Sequence, residues 1–251
     1  MSSTNVSIPV PGVQTSAAKR RGGLLEQYFY FLMALLIPAI VVLGFSTTIS
    51  QNLIHPAIPR PFILYVHAAV FSGWLLFFLL QSALVRTRNM RWHRSAGWFG
   101  AAFGALIPIV GTSTAIAMAH FNIDQLHREH VESFLMIPLW DMVAFTVAFA
   151  LAVYWRQKPE YHRRLVLIAT CALTAAAFGR FPPSVLNPNL FYAGVDLLII
   201  LGVLRDWIVA KKIHPVYLYA LPTLVIGQTV VIYTVSHELS YWFRIAHAIL
   251  G

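Results

Sequence analysis

Charged residues and cysteine are both scarce in this chain. Only 11% of its 251 residues are Asp, Glu, Lys or Arg, against about a quarter in an ordinary soluble domain. Cys171 is the single cysteine, which excludes a disulfide framework and a thiolate metal site. No small-residue cleavage site follows the first apolar run, so we interpret that run as a retained membrane span and not as a signal peptide.

Apolar residues make up 58% of the chain and are grouped into long runs. About 20 apolar residues in a helix cross roughly 30 Å of hydrocarbon. Seven runs approach that length, at 28–49, 62–85, 96–119, 132–154, 164–181, 189–204 and 215–236. The sequence therefore predicts an all-α, polytopic membrane protein with a seven-transmembrane-helix bundle at 28–236. It also predicts a disordered cytoplasmic segment at 1–27 and a short amphipathic outer segment at 237–251.

The basic residues predict the orientation of this bundle. Fourteen of the 18 Lys and Arg lie in the triplet 19–21 and in the loops 86–94, 156–164 and 205–214. Loops on the cytoplasmic side carry such an excess, so we expect the N-terminus inside and the C-terminus outside a bacterial inner membrane. Basic residues in short loops beside the bilayer attract anionic lipid. The expected partner is therefore the lipid bilayer and not nucleic acid.

A few polar residues lie within the apolar runs, where an ionisable group is costly and often functional. Helical rise places His67, Asp141 and Asp196 in the outer half, with Arg180 at the end of its span on the same side. Trp74 and Gln81 share the face of His67. Tyr192 shares the face of Asp196. We expect a polar pocket of these seven residues, although static partners that stabilise helix packing remain an alternative.

Two histidines begin outward-going helices on the predicted inner side. They are His93, followed by Arg94, and His162, followed by Arg163. In one interpretation they form an amphipathic ring at the depth of the lipid headgroups. In the other, His93 and His162 jointly hold a quinone headgroup or a haem propionate, and the arginines supply positive charge.

The predicted outer loop from residue 120 to 132 is rich in potential metal ligands. His120, Asp124, His127 and His130 have spacings at which imidazoles and carboxylates can bind Zn, Cu or Fe. They match no defined metal-binding signature, and an exposed loop without metal is the alternative. Haem b is a further alternative, but a bis-histidine haem needs two ligands at one depth, and His67 is the only histidine deep within a span.

Several motifs resemble a family of uncharacterised bacterial multi-pass membrane proteins. They are the run HAAVFSGWLLFFLLQ from His67 to Gln81, the H-R-x-x-G motif from His93 to Gly97, and the KPEYHRRL segment that ends at Leu165. The likeness covers most of the chain from about residue 60. It implies two cytoplasmic loop motifs, H-R-x-x-G and H-R-R-L, and it implies no particular reaction.

Three functions follow from these expectations. The leading one is a redox-associated protein with haem or quinone, or a proton-handling protein, that uses the outer pocket. The second is a transporter or channel for protons or a small solute, in which Asp141 and Asp196 line the path. The third is a non-catalytic subunit of a larger membrane complex.

Overall fold

The described part of the chain is built from α-helices. A computed structural model describes residues 16–251, with side chains from residue 23 onward, and this part contains no strand. The all-α prediction is confirmed. The helices are α1 (Ser16–Ser46), α2 (Phe62–Arg86), α3 (Met90–Asp124), α4 (Val131–Phe134), α5 (Met136–Tyr154), α6 (Pro159–Ala172), α7 (Ala175–Phe178), α8 (Phe191–Ala210), α9 (Pro215–Ser236) and α10 (Ser240–Leu250).

Five segments are long and apolar enough to cross a membrane. They are Gly23–Ser46, Phe62–Arg86, Met90–Asp124, Val131–Tyr154 and Pro215–Ser236. Large apolar side chains point outward from them, as Leu76 does at 67% exposure. Such a surface is compatible with a multi-pass protein that contacts lipid, since soluble monomers rarely expose large apolar patches.

The other two predicted spans differ from these five. The predicted span at 164–181 is divided, because α6 ends at Ala172 and the short α7 follows. The predicted span at 189–204 corresponds to α8, which carries Asp196, Arg205 and Asp206. Five helices are therefore compatible with crossing the membrane, and the count of seven stays a prediction.

Helix α6 lies at the centre of the bundle. It packs against α1, α5, α8 and α9, and every residue from Arg164 to Ala172 except Val166 is buried. Because protein surrounds it on most sides, its polar groups find their partners within the protein and not in lipid.

The loops rich in Lys and Arg meet at one end of the bundle, which we call the basic end. The Arg86 guanidinium lies 4.0 Å from the centre of the Tyr28 ring, which joins the end of α2 to α1. The rings of Tyr161 and His214 are 4.6 Å apart, which joins the starts of α6 and α9. The loops that carry most of the basic residues therefore lie near one another, and the predicted topology stays a prediction.

At the far end the last helix packs against α3 and α4. Trp242 and Ala246, one turn apart in α10, are buried, and the Trp242 Nε1 donates to the Glu132 carbonyl at 2.8 Å. The residues predicted to form the amphipathic outer segment thus include a docked helix. At the other terminus α1 begins at Ser16, within the segment predicted to be disordered, and residues 1–15 lie outside the described residues.

Candidate functional site

One buried and one partly buried carboxyl group lie in the half of the bundle that faces the far end. Asp141 of α5 accepts a hydrogen bond from the Tyr192 hydroxyl of α8 at 3.0 Å. Asp196, one turn after Tyr192, accepts from the Gln228 amide of α9 at 3.1 Å. We call these four residues the acid cluster. It joins three helices, α5, α8 and α9, whose contributing residues lie far apart in the sequence.

The acid cluster has neutral hydrogen-bond partners. Asp141, Tyr192 and Gln228 are each less than 9% exposed. Within residues 23–251, no Lys, Arg or His forms an ion pair with Asp141 or Asp196. A buried carboxylate without a cation is unfavourable by several kcal/mol, and a carboxyl group in that setting exchanges a proton more readily than it holds a charge.

Arg180 and His67 do not join the acid cluster as predicted. Arg180 is exposed, donates to the Ala176 carbonyl at 2.5 Å and lies 4.4 Å from the centre of the Phe45 ring of α1. The His67 ring stacks on Phe71 of its own helix at 3.9 Å between centroids. The depth of these residues was predictable from helical rise, but the side of the bundle that each one faces was not.

Trp74 and Gln81 also lie apart from the acid cluster. Trp74 is 3% exposed and packs edge-on against Phe145 and Phe149, with ring centroids 5.5 and 5.4 Å apart. Gln81 is fourteen residues after His67 on the same helix, about 21 Å away by helical rise. It lies near the basic end, where its side-chain amide is buried without a hydrogen-bond partner among the described residues.

The two predicted inner histidines are brought together at the basic end. The rings of His93 and His162 are 6.4 Å apart between centroids and nearly perpendicular. The His162 Nδ1 hydrogen bonds with the Ala152 carbonyl at 2.9 Å, which fixes the ring and leaves its Nε2 as the free nitrogen. The His93 Nδ1 is buried without a partner in the described structure. We call His93, His162 and the adjacent Gln81 the histidine site.

The two arginines predicted to accompany these histidines lie in different surroundings. Arg94 is exposed. Arg163 donates to the Glu160 carboxylate at 2.5 Å and lies over the Tyr30 ring at 5.2 Å. Arg163 therefore belongs to a second group of charges beside the histidine site, and Arg94 faces outward.

Sequence reasoning missed this second group, a buried ion cluster. Arg164 donates from Nε and Nη2 to the two carboxylate oxygens of Asp206, at 2.7 and 2.6 Å. Arg205 donates to the same carboxylate at 2.9 Å, and Glu160 accepts from Arg164 Nη1 at 2.7 Å. All these residues come from the KPEYHRRL segment and from the predicted 205–214 loop. Arg164 and Asp206 could have indicated this cluster from the sequence. The basic residues of both segments were instead interpreted as the positive charge that sets the orientation in the membrane.

The predicted metal ligands near the far end are not brought together. Among the described residues, no group of three His, Cys, Asp or Glu side chains is placed to hold a metal ion. The reason is that α3 ends at Asp124, and His127 and His130 follow with left-handed backbone angles, φ 47° and 58°. The helical spacing that motivated the prediction stops there. His130 instead contacts the Glu238 carboxylate.

His214 caps α9 at the basic end. Its Nδ1 accepts a hydrogen bond from the Val216 N–H at 3.2 Å, which only the neutral ring with a free Nδ1 lone pair can do. Burial lowers the pKa of the His214 imidazole, and the charge of Arg164 lowers it further. The cap is therefore maintained by a neutral histidine next to the ion cluster.

Comparison with family models, with curated proteins and with solved structures finds no match for this chain.

Proposed function

We propose that this chain is a proton-handling protein of a bacterial inner membrane, with its N-terminus inside, and that the acid cluster carries the proton. The proposal rests on the buried Asp141 and the partly buried Asp196, whose hydrogen-bond partners Tyr192 and Gln228 are neutral and which form no ion pair with a cation among the described residues. An ionisable group within a helix compatible with a membrane span, such as Asp141, is typical of proton relays in pumps and transporters.

The hydrogen bonds of the acid cluster supply the elements of a relay. Asp141 and Tyr192 form one donor and acceptor pair, and Asp196 follows Tyr192 by one helical turn on α8. Residues four apart on a helix share a face. In such a relay Asp141 gives its proton to the Tyr192 hydroxyl oxygen while that hydroxyl gives its own proton onward to the Asp196 carboxylate, one turn along α8.

Proton flux in proteoliposomes with an internal pH dye tests the proposal. We expect Asp141→Asn and Asp196→Asn to lower the flux at least tenfold, since an amide keeps the hydrogen bond but cannot exchange the proton. Asp124→Asn is the matched control, because Asp124 is an exposed acid at the end of α3. Equal flux in all three variants, or wild-type flux no higher than in empty liposomes, would contradict the proposal.

A second candidate function rests on the histidine site. His93 and His162 converge from α3 and α6 beside Gln81, and polar atoms of His93 and Gln81 lack partners in the described structure. Imidazole and amide groups can donate hydrogen bonds to the carbonyl oxygens of a quinone, and imidazoles can ligate haem iron. The site would then make the chain redox-associated.

Absorption spectra and quinone extraction from the purified protein test this second function. A Soret band would identify haem, and co-purifying quinone without that band would identify the other ligand. We expect His93→Ala and His162→Ala to remove the ligand. His67→Ala is the control, because His67 lies about 21 Å from Gln81 by helical rise. A wild-type protein with neither ligand would exclude the redox function.

A further inference from the structure

The two buried arginines of the ion cluster at the basic end differ in their hydrogen bonds. Each side-chain nitrogen of Arg164 has an acceptor, whereas two of the three nitrogens of Arg205 have none among the described residues. Arg164 donates to Asp206 from Nε and Nη2, and its Nη1 donates to the backbone and side-chain oxygens of Glu160. Arg205 is 2% exposed and donates only from Nη1, to Asp206. Its Nε and Nη2 are buried without partners within the described residues. Buried donors of a charged group are costly to leave unpaired.

Two tyrosines add further unpaired hydroxyls to the same cluster. The Tyr30 ring of α1 lies between two guanidinium groups, 5.2 Å from Arg163 and 5.5 Å from Arg205. The Tyr217 ring of α9 lies 6.0 Å from Arg164 and is 1% exposed. Both hydroxyls are buried without a hydrogen-bond partner in the described structure. Gly202 of α8 leaves the space that the Tyr217 hydroxyl occupies.

The ion cluster carries more positive than negative groups. Arg163, Arg164 and Arg205 contribute three positive charges, and Glu160 and Asp206 contribute two negative charges. Arg163 is the arginine of the cluster that reaches the surface, with 30% of its side chain exposed, and its Nε also lacks a partner among the described residues. The unpaired groups are thus N–H and O–H donors, with an uncompensated positive charge.

We propose that this cluster binds a phosphate group, which enters past Arg163 and accepts hydrogen bonds from Arg205, Tyr30 and Tyr217. Phosphate oxygens are strong acceptors for guanidinium donors and supply the missing negative charge. Water could occupy the hydroxyl donors but would leave the charge uncompensated. The phosphate belongs either to an anionic phospholipid at the basic end or to free inorganic phosphate. The site is separate from the acid cluster and from proton handling.

Binding of radiolabelled phosphate and of short-chain phosphatidylglycerol to the detergent-purified full chain tests the site. We expect Tyr217→Phe to weaken binding by roughly fivefold, as one hydrogen bond is lost. Arg205→Gln should weaken it by roughly tenfold or more, as charge-assisted bonds are lost. Tyr219→Phe is the matched control, because Tyr219 lies on the same helix but is 76% exposed.

If Arg205→Gln does not fold, the melting temperatures of wild type, Tyr217→Phe and Tyr219→Phe with and without ligand still test the site. Stabilisation of wild type by inorganic phosphate identifies free phosphate, and stabilisation by phosphatidylglycerol alone identifies lipid. In both cases Tyr217→Phe should reduce the effect and Tyr219→Phe should not. Equal melting temperatures in phosphate, in phosphatidylglycerol and in sodium chloride of the same ionic strength would overturn the proposal. A higher melting temperature for Tyr217→Phe with no ligand effect would also do so, since it would mean that the hydroxyl is simply unpaired.

Discussion

Single side chains in this bundle fall into two electrostatic classes. Asp206 is completely buried between Arg164 and Arg205, and its charge is compensated by hydrogen-bonded guanidinium groups. Among the described residues, Tyr192 is the one hydrogen-bond partner of the Asp141 side chain. A paired buried carboxylate stays charged and stabilises its neighbours, whereas an unpaired one is suited to gain and lose a proton. The two aspartates therefore lie in different electrostatic surroundings although both lie inside helices.

Removal of the Asp206 charge should be strongly destabilising. Asp206→Asn leaves two buried guanidinium groups facing an amide, and breaking a buried ion pair in this way costs about 3 to 5 kcal/mol. Glu160→Gln is the matched comparison, because the Glu160 side chain is 55% exposed and exposed pairs contribute at most about 1 kcal/mol. Unfolding of both variants in a denaturing detergent titration measures the difference. Similar losses in the two variants would contradict the burial argument.

The His214 cap should make stability depend on pH. Because the folded chain lowers the pKa of this imidazole from its ordinary 6.5, the unfolded chain binds more protons as the pH falls through 6.5 and below. The stability from the neutral cap is therefore present above pH 6.5 and is lost as the pH decreases through that range. His214→Ser keeps an N-cap acceptor that does not titrate. Its melting temperature should fall less on acidification, and identical pH profiles would contradict this role.

Helices in this bundle approach closely where glycines face aromatic rings. A Cβ atom at Gly227 of α9 would overlap the Trp140 ring of α5, and one at Gly104 of α3 would overlap the Phe149 ring. The side chains on either side of these contacts include Asp141 and Gln228. Close approach of α5 and α9 thus positions two members of the acid cluster.

Gly227→Ala should separate α5 from α9. Overpacking of this kind costs about 1 to 3 kcal/mol, and a shift of α9 should also move Gln228 away from Asp196 and lower the proton flux. Gly97→Ala is the matched control, because a Cβ at Gly97 in α3 meets open space. Alanine there should be neutral or stabilising by up to about 1 kcal/mol. Melting temperature and flux check both variants, and equal behaviour would exclude the packing role of Gly227.

The elements were more predictable than the contacts between them. The spans predicted at 62–85 and 215–236 agree closely with Phe62–Arg86 and Pro215–Ser236, because a long apolar run sets the length of a helix in hydrocarbon. The meeting of Arg164 and Asp206 was not predictable, since they are 42 positions apart and their contact depends on how α6 and α8 rotate against each other. His93 and His162 were predicted jointly because they occupy equivalent positions in two loops.

The whole molecule has an orientation that chemical labelling can test. Cys171 is fully buried, so the wild-type chain should not react with a membrane-impermeant maleimide on intact spheroplasts. Glu129→Cys and Gly251→Cys place a thiol on exposed positions of the far end, and both should be labelled. Lys212→Cys at the basic end should be labelled only after the membrane is opened. Labelling of Lys212→Cys but not of Gly251→Cys in intact cells would reverse the predicted orientation.

The burial of α6 has a consequence for how the chain enters the membrane. Each translocon-inserted segment is selected by its own partition free energy, and an arginine at the centre of a segment costs about 2.5 to 3.5 kcal/mol on that scale. α6 carries Arg163 and Arg164 in its second turn and is only 14 residues long, so it is a poor candidate for release into lipid alone. We expect α6 to leave the translocon paired with α5 as a helical hairpin. The Arg164 guanidinium would gain its buried partner later, when α8 supplies Asp206.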